Sequence, residues 1–182
     1  MKSFSMVETH LQKVLIPQNR LQERVSELGH EISQQFEGKD LAVVAILKGS
    51  FIFAADLLRA MTIPCSIDFM SISTYATQPD SGVVRITKDL DESIAGRDVL
   101  LIEDIIDTGL TVNYLLKSLR QRKPASLRVC TLLDKSARRL IDLPTFFRGF
   151  EIPDVFVVGY GMDYQQQFRN LPHIATLRLN GS

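Results

Sequence analysis

Three short, mostly apolar runs, LAVVAIL (41–47), VLLI (99–102) and LRVCTLL (127–133), constrain the fold of this chain more than anything else in it. A membrane-spanning helix needs about 20 apolar residues, so each run is too short to cross a bilayer. Each also lacks the regular polar alternation of a strand with one wet face, and so reads as a strand buried on both sides. Helical signals lie between them. Leu21, Val25, Leu28, Ile32 and Phe36 recur at spacings of three and four and end at Gly38, which describes one face of an amphipathic helix. A second helix, over residues 50–61, follows Lys48-Gly49, and a third, over 111–121, turns Leu115, Leu116 and Leu119 inward. Further strands are expected at 67–73, 83–87 and 155–159.

Strands alternating with helices imply βαβ units. The expected fold is therefore α/β, an open, twisted, mainly parallel sheet with helices on both faces and with 83–87 as an antiparallel addition. A chain of 182 residues, 45% of them hydrophobic, fits a single domain with a sizeable core. Lys and Arg number 21, as do Asp and Glu, so nothing points to a nucleic-acid or membrane partner held by bulk electrostatics, and local clusters must carry any charge-based binding. Cys65 and Cys130 stand far apart with no C-x-x-C or Cys/His grouping, which argues against zinc and for two buried, reduced thiols. The first residues, MKSFSMVETHLQKVLIP, lack the unbroken apolar segment of a signal peptide, so the chain is expected to be cytoplasmic.

In open α/β sheets ligands bind beyond the carboxyl ends of the strands, near the point where strand order reverses. Polar clusters stand at these places: Lys48-Gly49, Glu103-Asp104 with the turn from Asp107 to Thr111, Asp134-Lys135, and Gly159 to Asp163. Four clusters at equivalent strand ends point to one cleft. The turn Asp107-Thr108-Gly109-Leu110-Thr111 opens a helix. Its glycine permits a tight bend, and the free N–H groups and dipole of the helix start suit a phosphate. An ordinary helix start capped by Asp107 or Thr108 would present the same residues. The neighbouring Glu103-Asp104 pair decides between them, because adjacent carboxylates at a buried strand end repel each other and require a cation, a polyhydroxyl ligand or open water. A phosphate turn beside such a pair suits a phosphorylated sugar with a shared Mg2+.

LLIEDIIDTGLT resembles the phosphoribosyl-diphosphate signature of the type I phosphoribosyltransferases. LKGSFIFAADL is similar to the diphosphate loop of the hypoxanthine-guanine branch of that family, DFMSISTY to the strand entering its flexible catalytic loop, and FVVGYGMDYQQQFRNLPHIATL to its purine-binding tail. The resemblance spans about residues 11–177 in the family's order.

The resemblance implies a core over about 38–160, with a small hood formed by residues of about 1–20 and 161–182. It implies Mg2+-dependent transfer of the 5-phosphoribosyl group from 5-phosphoribosyl 1-diphosphate to N9 of hypoxanthine or guanine, as in purine salvage, by a homodimer or homotetramer. The transition state resembles an oxocarbenium ion, so carboxylates belong by the ribose and cations by the leaving diphosphate. Glu103 and Asp104 would then face the ribose hydroxyls and the metal, with Asp163 as a further metal ligand. The backbone of Asp107, Thr108, Gly109, Leu110 and Thr111 would hold the 5-phosphate, and Asp107 would also accept the proton at purine N7. Lys48 and Gly49, whose preceding peptide bond can be cis in this family, would hold diphosphate together with Arg169. Lys135, which carries donors only, would read the 6-oxo group and reject adenine. Phe156 would stack on the purine, and the Val157 backbone would read its edge.

Thr74-Tyr75 would open the flexible segment that excludes water. Threonine stands there where the family usually has serine, and Leu110 stands where the mammalian branch has lysine. His10, His30 and His173 match no catalytic position of the family. Three other readings remain open: a xanthine- or guanine-preferring transferase; a non-catalytic regulator that senses phosphoribosyl diphosphate, which would be expected to show a basic face or an added nucleic-acid-binding domain; and an α/β domain binding some other phosphate, which requires the four strand-end matches to be coincidental.

Overall fold

The computed structural model describes residues 11–75, 83–143 and 146–178. Its centre is a six-stranded sheet in the order β4-β3-β2-β5-β6-β7. These strands are β2 (Leu41–Leu47), β3 (Cys65–Tyr75), β4 (Val83–Lys88), β5 (Asp98–Ile106), β6 (Ser126–Asp134) and β7 (Phe146–Glu151). All pairings are parallel except β3 with β4. A separate three-stranded antiparallel sheet, in the order β1-β9-β8, joins β1 (Leu11–Ile16), β9 (Ile174–Leu177) and β8 (Val157–Val158). The helices are α1 (Gln18–Gln35), α2 (Phe51–Ala60) and α3 (Leu110–Arg120). Among the described residues, no helix is long and apolar enough to cross a membrane.

The apolar runs behave as their composition dictates. Alternate β2 residues enter opposite cores: Leu41, Val43 and Ala45 pack with Leu21, Leu28 and Ile32 of α1 and Phe53 and Leu57 of α2, while Ala42, Val44 and Ile46 pack with Val112, Leu115, Leu116 and Leu119 of α3. Helices therefore cover both faces, and burying aliphatic side chains of this size contributes about 1.5–3 kcal/mol each. Strand order reverses between β2 and β5: the chain leaves β2 through α2 to β3 on one side, and leaves β5 through α3 to β6 on the other. The loops after β2 and β5 consequently flank one crevice.

Three sequence expectations need correction. β5 does not stop at Ile102 but continues to Ile106, because β6 pairs beside it as far as Asp134, so Glu103 and Asp104 lie inside the strand. The fifth parallel strand is β7, not 155–159; of the latter segment only Val157–Val158 is strand, and it pairs with β9 in the small sheet. The rival reading of the turn, a helix start capped by Asp107 or Thr108, is the one the structure departs from: the N-cap is Gly109, in the left-handed region at φ 85°, with no side-chain cap. Cys65 is partly exposed; only Cys130 is buried.

Candidate functional site

Two adjoining clefts open at the carboxyl ends of β2, β5 and β6 and share Gly49, Asp104, Ile105 and Asp107. The first, of about 230 Å³, is lined on its polar side by Glu103, Asp104, Asp107, Thr108, Gly109 and Thr111. The second, of about 350 Å³, takes in Lys48, Lys135, Phe156, Val157, Asp163 and Arg169. Polar stretches far apart in sequence thus meet because parallel strands end in the same plane. Leu110 behaves differently: it begins α3 with its side chain outward and 53% exposed, so it can offer a ligand only backbone. The backbones of Thr74 and Tyr75 end β3 opposite Val84 and Val83, and the segment 76–82 that follows lies outside the described residues.

The loop after β2 is built around absent side chains. A Cβ on Gly49 would lie 1.9 Å from Asp104 Oδ2, and one on Gly161, at φ 101°, would lie 2.2 Å from the Gly49 carbonyl oxygen. Backbone, carboxylate and tail loop therefore touch directly, a closeness only glycine allows. The Leu47–Lys48 peptide is cis. The tail loop is braced by Arg169, whose Nη1 donates to the Gly161 carbonyl at 2.7 Å and whose Nη2 lies 2.6 Å from Asp163 Oδ1. On the far side of the tail the Tyr160 hydroxyl donates to Asp56 of α2, which also pairs with Arg59.

The acidic pair is electrostatically unfavourable, as the sequence implies. Glu103 is buried, and desolvation followed by repulsion from Asp104 raises its pKa well above the usual carboxylate value. Desolvation likewise pushes Asp104 up to about 6, against the opposing pull of its own backbone N–H, that of Ile105, and the Arg169 charge. The described residues hold no ready-made cluster of three metal-ligating side chains. The donor set still fits Mg2+, which binds through one or two carboxylates and fills its shell with water and substrate phosphate oxygens.

Across the second cleft, Lys135 is 8% exposed and its ammonium sits 3.9 Å from Asp107 Oδ2 and 3.3 Å from Asp154 Oδ1. The exposed ring of Phe156 forms part of the same wall, held edge-on by Tyr164 at 5.7 Å and 85°. The small sheet positions this wall, since the Phe156 carbonyl accepts from the Leu177 N–H of β9 at 3.0 Å.

The sequence reading gave no role to Met162 within the cluster Gly159 to Asp163, although it lines the second cleft, and missed Asp154, which pairs with Lys135, and Arg138, which pairs with Asp107 and Asp154. A turn aspartate after proline and an arginine three residues beyond a lysine carry no signal by themselves. Only the fold brings them together.

A family model described as the phosphoribosyl transferase domain matches residues 17–165. The chain belongs to the phosphoribosyltransferase family. Among its phosphoribosyltransferase relatives, the hypoxanthine phosphoribosyltransferase of Salmonella typhimurium is 46% identical over 173 residues, covering 93% of this chain and 97% of that protein. The hypoxanthine-guanine phosphoribosyltransferase of Bacillus subtilis is 45% identical over 174 residues, 95% of this chain and 97% of the relative. The crystal structure of a hypoxanthine-guanine phosphoribosyltransferase from Bacillus anthracis superposes with a TM-score of 0.89 at 47% identity, covering 92% of this chain and 99% of the other. That of a Staphylococcus aureus hypoxanthine phosphoribosyltransferase reaches 0.90 at 43% identity, over 98% of this chain and 96% of the other.

Proposed function

We propose that this phosphoribosyltransferase is a purine-salvage enzyme of the cytoplasm that transfers the 5-phosphoribosyl group from 5-phosphoribosyl 1-diphosphate to N9 of hypoxanthine, and of guanine, releasing diphosphate. The observation that carries the reading is Lys135, an almost fully buried ammonium facing the same cleft as the exposed Phe156 ring and the Asp107 carboxylate. Names of relatives across nearly the whole chain length support it, and the unpaired state of both cysteines fits a reducing compartment.

Each side chain then has a task. The phosphate settles on the backbone N–H groups that start α3, which have no partners within the helix, while Thr108 and Thr111 add hydroxyls. Glu103 and Asp104 accept from the ribose hydroxyls and, with Asp163, would hold Mg2+, whose chemistry there is to neutralise diphosphate charge as it leaves. Negative charge on these carboxylates also stabilises the oxocarbenium character of the ribose. Lys48, the Gly49 backbone and Arg169 receive the departing diphosphate. On the other side Phe156 stacks on the purine, the Val157 backbone contacts its edge, Lys135 donates to O6, and Asp107 accepts the N7 proton as N9 attacks. The small sheet and the tail loop serve as the hood that closes this side.

The test is diphosphate release from 5-phosphoribosyl 1-diphosphate with hypoxanthine, with and without Mg2+. Turnover with hypoxanthine that depends on Mg2+ is expected. Absence of turnover with hypoxanthine, guanine and xanthine alike would overturn the enzymatic reading.

A further inference from the structure

Lys135 and Asp107 belong to a closed ring of four alternating charges. Lys135 Nζ lies between Asp154 Oδ1, at 3.3 Å, and Asp107 Oδ2, at 3.9 Å. Arg138 completes the ring: its Nε is 2.9 Å from Asp107 Oδ1, and its Nη1 donates to both Asp154 oxygens at 3.4 Å. The contact with Asp107 is ionic rather than a formed hydrogen bond, because the Nε–H does not point at the oxygen.

Backbone hydrogen bonds bring these residues together. The Lys135 N–H donates to Ile106 at the end of β5, at 2.9 Å, and the single 3-10 turn Ser136–Arg138 brings the Arg138 N–H back to the Lys135 carbonyl, also at 2.9 Å. Asp154 comes from the connection between β7 and β8, just before Phe156. Arg138 and Asp154 are about half exposed at 47% and 51%, so ion pairs between them add little to folding stability. Their positions matter for another reason. A purine edge that presents an acceptor at O6 and a donor at N7 needs Lys135 and Asp107 side by side yet not bonded to each other. At 3.9 Å an unopposed ammonium and carboxylate would close into a direct hydrogen-bonded pair and compete with the base.

We infer that Arg138 and Asp154 are positioning residues for base recognition, drawing Asp107 and Lys135 apart so that Asp107 Oδ2 and the remaining ammonium donors stay available to the purine. The inference rests on the phosphoribosyl-transfer reading of the site. Supporting side chains of this kind decide whether reacting groups are held within the tolerance that binding requires.

The experiment compares the full-length wild type with Arg138→Met, Arg138→Lys, Asp154→Asn and the Arg138→Met/Asp154→Asn double variant, titrating hypoxanthine and phosphoribosyl diphosphate separately. In Arg138→Met the KM for hypoxanthine should rise about tenfold or more, while the KM for phosphoribosyl diphosphate and the Tm stay unchanged. Arg138→Lys, keeping the charge, should recover part of the loss, and the double variant should be no worse than the poorer single one, as expected of members of one network. Hypoxanthine KM and kcat/KM within about twofold of wild type in Arg138→Met, or a parallel loss for both substrates with a lowered Tm, would overturn the inference. Failure of the wild type itself to turn over any 6-oxopurine would instead defeat the underlying reading of the site.

Discussion

Gly49 shows most sharply how a single residue joins structure to chemistry here. The space its side chain would fill is occupied by Asp104 Oδ2, and its carbonyl oxygen occupies the space of a Gly161 side chain. A methyl group at position 49 must displace either the carboxylate or the loop, and a misplacement of about 1 Å in a reacting site can cost about a hundredfold in rate. Gly49→Ala is therefore expected to lower kcat/KM about a hundredfold or more while far-UV circular dichroism remains that of wild type. Wild-type kinetics in this variant would mean that the loop can yield and that the contact carries no function. The sequence showed that Lys48-Gly49 stands at a strand end, but not what the glycine faces, since that contact comes from β5, more than 50 residues later.

At the scale of elements, the start of the β4–β5 connection depends on one carboxylate. Asp68 of β3 is 15% exposed and accepts from the N–H groups of Phe69, Asp91 and Glu92 at 2.7, 2.7 and 3.1 Å, with Lys88 beside it. Burial raises its pKa, but those backbone donors and the Lys88 charge outweigh it and hold the group below the ordinary aspartate value. The folded state therefore binds the proton less readily than the unfolded chain. The resulting stability is present above the unfolded pKa and is lost as pH falls through the folded one. Asp68→Ala is expected to cost about 1–3 kcal/mol in urea unfolding at pH 7. The gap to wild type should narrow below about pH 4. A constant gap across that range would assign the loss to packing rather than charge.

Element boundaries also show where sequence reading stops. β2 and α3 were legible to within a residue because their apolar spacing is unbroken. β5 was read too short because its last turn of pairing carries charge, and pairing is decided by the neighbouring β6 rather than by hydrophobicity. β7 escaped notice because FFRGFE interrupts its apolar pattern with Arg148 and Gly149, and FVV was promoted in its place although β9 claims it for the small sheet. Both errors are cases of tertiary context overriding local pattern.

Across the whole molecule, the switch in strand order between β2 and β5 is what turns scattered polar stretches into one site. It puts the carboxylates and helix start that suit a phosphorylated sugar in one cleft, and the ammonium and aromatic ring that suit a 6-oxopurine in the adjoining one, with Asp107 in both. The strand-end clusters were legible as one cleft once the sheet was recognised, whereas Phe156, Val157 and Arg169 were named only through the family resemblance. Arg138 and Asp154, which pair around Lys135, were not legible, because each sits in a short segment that has no periodicity, and Met162 was named only within the cluster Gly159 to Asp163. The central claim is that Lys135, which can only donate, selects a base whose 6-position accepts. Its most direct test is the ratio of kcat/KM for hypoxanthine and adenine in the wild-type protein under identical phosphoribosyl diphosphate and Mg2+. The account expects hypoxanthine to be favoured by about a thousandfold or more. Adenine turnover within about tenfold of hypoxanthine would contradict it.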